Sequence, residues 1–543
     1  MNLDLILKNG RIIDGTGKPV FKADIGIKDG KITQIKTGIT EEADKIIEAG
    51  DLIIAPGFID IHSHSDTNVF LENKLSSKIM QGITTEVIGQ CGYSIAPISE
   101  EGYDIFKRDM DMFLPPGADL ELKWRTFTEY LEEVEKAKPA LNIVPVVGFG
   151  TVRIAGGPGY ENRVPIAEEM ESMKQLVEES MKAGAFGMST GLIYSPQVYA
   201  QTEEVIELSK IVAKYNGLYF SHIRDEGANV VEAVKEFIEI VEKSGCRGGQ
   251  IAHFKVSGPP YWGKSIETLK LVEDANKNNL DIKCDQYPYN RAMTSLVTAL
   301  PPWVHEGGID KILERLEDEE DRDKIRKELV GGESEIAENW FKVPGTDKIF
   351  IASVKTEKWK DIEGKSLAEI TKIRHLKDDL ETLLTILLEE KCEVEMTLES
   401  MGDEDINRIM SNKYVMVGTD GSGVSPSGIT SHGKPHPRFY GTFPRILRKY
   451  VREENLLSLE EAVRKMTSFP AQRLGISDRG VIKEGMWADI VVFDDQKVTD
   501  LATYENPHQY PKGIEYVIVN GTVVVEKSTQ NDELPGKVLR FQG

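Results

Sequence analysis

His62 and His64 stand two residues apart where the apolar run 52–61 ends, and Asp66 follows two residues later. Successive side chains along a strand point to opposite faces, so positions 62 and 64 share one face. Neutral imidazole is a preferred ligand for zinc and its neighbours. A strand ending in His-x-His therefore offers two ligands to one ion, which points to a metal-dependent hydrolase. A surface histidine pair at a loop mouth would have the same spelling.

Further metal-competent side chains fall at or just past the ends of other strand-like runs. Cys91 lies in the glycine-flanked loop 89–93, His222 in 221–226, His253 in 251–255 and Asp420 in 417–421. Taken singly, a cysteine is a small buried hydrophobe, a lone histidine can be structural, and an aspartate before glycine can be an Asx turn or helix cap. Four of only nine histidines occupy such ends. Taken together, the set reads as ligands.

The elements that must bring these residues together alternate strand and helix. Strand-like runs lie at 58–62, 84–89, 142–148, 186–190, 218–222, 250–254, 281–287 and 414–419. Helical periodicity separates several of them, as at 203–215 before Asn216-Gly217 and at 229–243 before Gly245. Eight strands suffice for a closed (β/α) barrel, in which the carboxyl ends of the strands form the face that holds active sites. A longer interval, rich in Glu, Lys and Asp, precedes the eighth run and holds two surplus strand-like runs, 349–354 and 393–398.

The two ends of the chain differ from this middle. Asn9-Gly10, Asp14-Gly15 and Asp29-Gly30 punctuate apolar runs at one end and Asn520-Gly521 does so at the other, which is hairpin chemistry. The expectation is an α/β protein: a (β/α)8 TIM-like barrel with a small β-sandwich domain built from both termini. Residues 1–56 and 476–543 are assigned to the β domain and 57–475 to the barrel, with an inserted subdomain at about 290–412 before the last barrel strand.

Composition bounds the function. The net charge of -23 argues against a nucleic-acid or anionic-membrane surface, whose footprint would be basic. No apolar run approaches the roughly 20 residues of a membrane span. The first residues lack a basic region followed by an apolar core, and the four cysteines form no CxxC pair, so a cytoplasmic location is expected. An anionic substrate would need local cations to overcome the global field. Oligomeric state is not legible.

The motifs resemble the amidohydrolase superfamily and, more closely, the N-acyl-D-amino-acid deacylases, also called D-aminoacylases. The resemblance rests on Pro56-Gly57-Phe58-Ile59-Asp60-Ile61-His62-Ser63-His64-Ser65-Asp66, Gln90-Cys91-Gly92, Ser189-Thr190-Gly191-Leu192 with Tyr194, and His436-Pro437-Arg438 with Gly441-Thr442-Phe443. Many superfamily members bridge two metals with a carbamylated lysine on strand four, but 186–190 has no lysine, whereas a cysteine follows strand two. The resemblance implies one tight zinc on Cys91, His222 and His253, and a second, weaker position at His62, His64 and Asp420. It implies that Asp420 is the general base and acid for water activated by the metal, and that Tyr287 stabilises the oxyanion. It places Lys255, Arg438 and Tyr194 at a small-molecule N-acyl amino acid, Lys255 being expected on the same strand face as His253.

The function implied is hydrolysis of an N-acyl-D-amino acid to a D-amino acid and a carboxylate. A hydantoinase-, dihydropyrimidinase- or dipeptidase-like activity is an alternative against which the missing lysine speaks. A non-catalytic metal-binding barrel is another, for which Asp420 would be superfluous.

Overall fold

The computed structural model describes residues 2–331 and 339–543, so positions 332–338 of the expected insertion lie outside the described residues. Eight parallel strands form the barrel: Phe58–Asp60, Ile83–Ile88, Asn142–Pro145 continued by Val147–Gly148, Gly187–Gly191, Leu218–His222, Gly248–Ile251, Ile282–Gln286 and Val415–Val417. Their pairing runs in order from the first to the eighth. The ring closes where Ser63 bridges Gly421 and the Asp420 amide donates to the His62 carbonyl at 2.9 Å.

The strands are almost wholly buried, as parallel strands covered by helices on one side and a packed interior on the other must be. Outside them, Val230–Ser244 buries Val230, Ala233, Val234, Phe237, Ile240, Val241 and Ser244. That spacing of three and four makes one apolar stripe. The helix stops at Gly245, whose φ of 73° is the left-handed cap that glycine adopts without penalty. Thr202–Lys214 repeats the design between the fourth and fifth strands.

The two ends of the chain meet in one sheet of nine strands. Ile53–Pro56 from the first end pairs antiparallel with Ile490–Phe493 from the second. Leu5, Leu7, Ile25, Ile27, Ile490 and Val492 share its core. The two surplus strand-like runs belong to the insertion, not the barrel. Ile349–Ser353 and Arg291–Ser295 flank Glu395–Glu399 in a three-stranded antiparallel sheet. This unit has its own core, including Leu316, Ile351, Leu383 and Leu387. Among the described residues no helix is long and apolar enough to cross a membrane.

Several strands are shorter than their apolar runs suggest, because the polar ends curl away from the ladder. The sixth ends at Ile251, so residues 253–255 are loop, and the expectation that Lys255 continues the strand face of His253 is corrected.

Candidate metal centre and active site

Three of the expected site residues sit in left-handed backbone: Cys91 at φ 54°, His253 at φ 32° and Asp420 at φ 51°. Side chains other than glycine adopt this region at a cost of order 1–3 kcal/mol, and such residues persist only where their surroundings over-determine them. At Asp420 those surroundings are identifiable. Lys78, fully buried, donates to Asp60 Oδ2 at 2.7 Å, Thr419 Oγ1 at 2.6 Å and the Gly421 carbonyl at 2.7 Å. Asp60 also accepts from the Thr419 amide at 2.9 Å. The eighth strand is thereby locked to the first on both sides of Asp420. Gly418 lies so near His62 that a Cβ would fall 2.9 Å from the histidine Cβ, and only glycine fits there.

The side chains converge at the carboxyl face. Cys91 Sγ lies 3.4 Å from His62 Nε2 and 3.4 Å from His253 Nε2. His62 Nε2 lies 3.4 Å and His64 Nε2 3.1 Å from Asp420 Oδ1. Donor atoms of His62, Cys91, His253 and Asp420 lie within 4.8 Å of one another, as do those of His222, Glu226 and His253. Metal–donor bonds of about 2.0–2.3 Å make the edges of a zinc tetrahedron roughly 3.3–3.7 Å. The Cys91–His62, Cys91–His253 and His62–Asp420 separations of 3.4 Å fall in that range, and His64–Asp420 at 3.1 Å is slightly shorter. His222 packs edge-on against His253, with ring centroids 4.3 Å apart, and neither of its buried ring nitrogens has a hydrogen-bond partner. Its Nε2 lies 3.6 Å from Glu226 Oε2, and a buried imidazole with no hydrogen bond is a state that a metal can resolve. Thiolate and imidazole together suit zinc, so the residues present fit the ion.

Charge supports the same reading. Burial pushes the Cys91 thiol up, but His62 and His253 outweigh it and hold the group well below the ordinary thiol value. The thiolate is the ligating form. Burial likewise pushes the Asp420 carboxyl up, and Arg438, His253 and His64 hold it well below the usual carboxylate range.

Two carboxylates absent from the expected set orient the imidazoles. Asp285 Oδ1 accepts the His253 amide at 2.7 Å and lies 3.4 Å from His62 Nδ1, while Gln250 donates to Oδ2 at 2.9 Å. Glu226 Oε1 lies 3.1 Å from His253 Nδ1. A carboxylate on the outer nitrogen of a ligating histidine sets its tautomer and raises its basicity. In the sequence, Asp285 is the acidic residue of an otherwise covered strand, and Glu226 follows His222 by four positions. Neither signal is distinctive without the tertiary contacts.

The expected substrate residues reach the same cavity, of about 300 Å³, which is lined by His64, Cys91, His222, His253 and Asp420 as well as by Tyr194, Lys255, Tyr287 and Arg438. Lys255 is not a free cation. Its Nζ donates to Glu226 Oε1 at 2.6 Å and lies 2.7 Å from His253 Nδ1. Arg438 opens the helix Arg438–Arg445 and is buried, with its guanidinium 4.6 Å over the Tyr287 ring. Its Nη1 is at ion-pair distance from Asp420 Oδ2, 2.9 Å, yet not aligned for a hydrogen bond, and its Nε has no partner either. The Tyr287 hydroxyl is also buried without a partner. Tyr194 lays its ring against His222, with centroids 4.8 Å apart.

Comparison with known proteins agrees in kind. A model described as "Amidohydrolase family" matches residues 388–525. N-acyl-D-glutamate deacylase of Alcaligenes xylosoxydans xylosoxydans is 33% identical over 542 residues, covering 99% of this chain and 96% of the relative. D-aminoacylase of the same organism is 32% identical, covering 99% and 97%. The crystal structure of N-acyl-D-glutamate deacylase from Bordetella bronchiseptica, complexed with zinc and a phosphonate mimic of the tetrahedral intermediate, superposes with a TM-score of 0.82 at 31% identity, covering 99% of this chain and 100% of that one.

Proposed function

This chain belongs to the N-acyl-D-amino-acid deacylase family of amidohydrolases, and from that premise we propose that it hydrolyses N-acyl-D-amino acids to a D-amino acid and a carboxylate. In this reading Cys91, His222 and His253 hold a tight zinc, and His62, His64 and Asp420 mark a second, weaker position. When bound, the metal supplies Lewis acidity toward water and toward the amide carbonyl.

The chain's own residues do the rest. Asp420 takes the proton of the attacking water on a carboxylate oxygen as the new bond to the acyl carbon forms. It returns that proton to the amide nitrogen as the C–N bond breaks. The Tyr287 hydroxyl donates to the developing oxyanion. Arg438, already ion-paired with Asp420, binds the substrate's α-carboxylate through guanidinium N–H groups that make no hydrogen bond, and Lys255, neutralised by Glu226, adds a donor beside it. Tyr194 packs against the bound molecule.

The observation that carries this reading is the buried guanidinium of Arg438, whose Nε and Nη1 make no hydrogen bond, beside a cysteine–histidine–aspartate cluster in one cavity. The same reading keeps residues 57–475 as the catalytic barrel and 1–56 with 476–543 as the β domain. All four cysteines are free and buried, which supports the proposed cytoplasmic location.

The test is metal content together with turnover. Purified protein should carry zinc and release methionine and acetate from N-acetyl-D-methionine, with the L form much slower. Cys91→Ala should stay folded while losing most of its zinc and activity. Zinc-loaded protein inert toward every N-acyl-D-amino acid overturns the function, equal turnover of the two enantiomers overturns the D assignment, and full zinc in Cys91→Ala removes the cysteine from the site.

A further inference from the structure

Resting on the hydrolase reading above, we infer that the cavity takes N-acyl-D-amino acids bearing one carboxylate only, with uncharged and mainly apolar side chain and acyl groups. It rejects N-acyl-D-glutamate and N-acyl-D-aspartate, even though the 33% identical relative is named for the glutamate derivative.

A second carboxylate needs a second cation, and the wall does not supply one. Among the described residues, the lysines and arginines lining the cavity are Lys255 and Arg438. Arg438 is the match for the α-carboxylate. Lys255 Nζ is held by the Glu226 carboxylate at 2.6 Å, the two sharing the neighbourhood of His253 Nδ1. Taking Lys255 from Glu226 would strip that carboxylate of its buried counter-charge, a costly exchange. Residues 332–338 contain three glutamates and no lysine or arginine.

The rest of the wall carries apolar groups, carboxyls, hydroxyls such as Ser295 and Thr298, and His305 and His432, which burial holds down to about 4, so that neither supplies a cation near neutral pH. Phe106, Met110, Ile154, Val297, Ile309 and Ile312 line it. Among them sits Asp109, buried, whose Oδ2 accepts from the Tyr160 hydroxyl at 2.6 Å. Burial raises this carboxyl to about 7. Glu395, bonded by Ser353 Oγ at 2.8 Å, adds a second acid to the lining. A substrate carboxylate directed at this wall would lose its hydration and meet carbon, hydroxyls or another acid, with no cation to offset its charge. An alkyl, thioether or aryl group would bury its surface there with gain. Specificity of this kind comes from the penalty imposed on the wrong ligand as much as from attraction of the right one.

The experiment compares kcat/KM of the zinc-loaded full-length enzyme on N-acetyl-D-leucine, -methionine, -phenylalanine, -glutamate and -aspartate, with Asp109→Asn run beside it. The neutral substrates are expected to exceed both acidic ones by more than about tenfold, and Asp109→Asn is expected to narrow that ratio. A smaller or reversed ratio in the unmodified enzyme overturns the inference while leaving the hydrolase reading intact. No turnover of any of the five defeats the hydrolase reading itself. An unchanged ratio in folded Asp109→Asn overturns the part assigned to Asp109.

Discussion

Arg438 Nη1 lies 2.9 Å from Asp420 Oδ2, so the guanidinium assigned to the substrate carboxylate and the carboxylate assigned to proton transfer touch before any substrate arrives. The pair is buried, with side chains 4% and 10% exposed, so its charges are poorly screened. Recognition and chemistry are therefore electrostatically joined.

Arg438→Ala is expected to raise KM and also lower kcat, for a combined loss of about 100-fold in kcat/KM. Arg438 is among the groups that hold the Asp420 carboxyl down. Removing it raises the pH at which Asp420 takes a proton, so the acid limb of the rate profile shifts to higher pH. A double-mutant cycle with Asp420→Asn measures the coupling. Additive losses with an unmoved acid limb would separate the two residues.

Asp420→Asn keeps the size and much of the hydrogen bonding but removes the basic oxygen. Turnover is expected to fall about 100- to 10,000-fold, with the tight zinc retained on Cys91, His222 and His253. Zinc content and turnover measured on one preparation decide it. A zinc-loaded variant within a few-fold of the parent rate removes the proton-carrying role, and lost zinc makes Asp420 a ligand first.

Lys78→Met removes the clamp on strand eight and leaves Asp60 buried with its cation gone. Breaking a buried ion pair on one side costs about 3–5 kcal/mol, to be read as a lower midpoint of denaturant unfolding. Lys78→Met combined with Asp60→Asn should recover part of the loss, because the uncompensated charge goes too. Failure of the double variant to recover would trace the cost to the Thr419 and Gly421 contacts and to Glu86, whose buried carboxylate lies 3.6 Å from Lys78 Nζ.

His305, buried in the insertion, is held by burial at about 4 against an ordinary 6.5. The folded protein therefore keeps it neutral, while the unfolded chain binds the proton first as pH falls. Its contribution is full above pH 6.5 and is lost progressively down to about pH 4, worth up to about 3 kcal/mol. Unfolding free energy measured across that window should fall with acid. His305→Gln should flatten the slope, and an unchanged slope would assign the acid lability to other groups.

The elements were legible because their signals are local. Apolar runs ending at or just before His62, Cys91, His222, His253 and Asp420 announce strands with metal-competent ends, and the Asn-Gly and Asp-Gly turns announce a β unit at both termini. The surplus runs at 349–354 and 393–398 were visible as strands, yet nothing local said that they pair with each other and with Arg291–Ser295 instead of entering the barrel. Lys255 read as a cation for the substrate because its neutralising partner, Glu226, is 29 positions away. Asp285 looked like any acid in a strand until His62 and His253 closed around it.

The sequence by itself determined which residue types stand at which strand ends, and hence the class of metal and the class of reaction. Those follow from backbone periodicity and donor chemistry, which are properties of neighbouring residues. Only the tertiary structure decided which charges meet: Arg438 on Asp420, Lys255 on Glu226, Lys78 bridging strands one and eight. Ring closure brings Lys78 within a hydrogen bond of Thr419, 341 positions away, while loop packing joins Lys255 to Glu226 across 29, and in a buried site it is the partner of a charge, more than its identity, that sets what the charge can do.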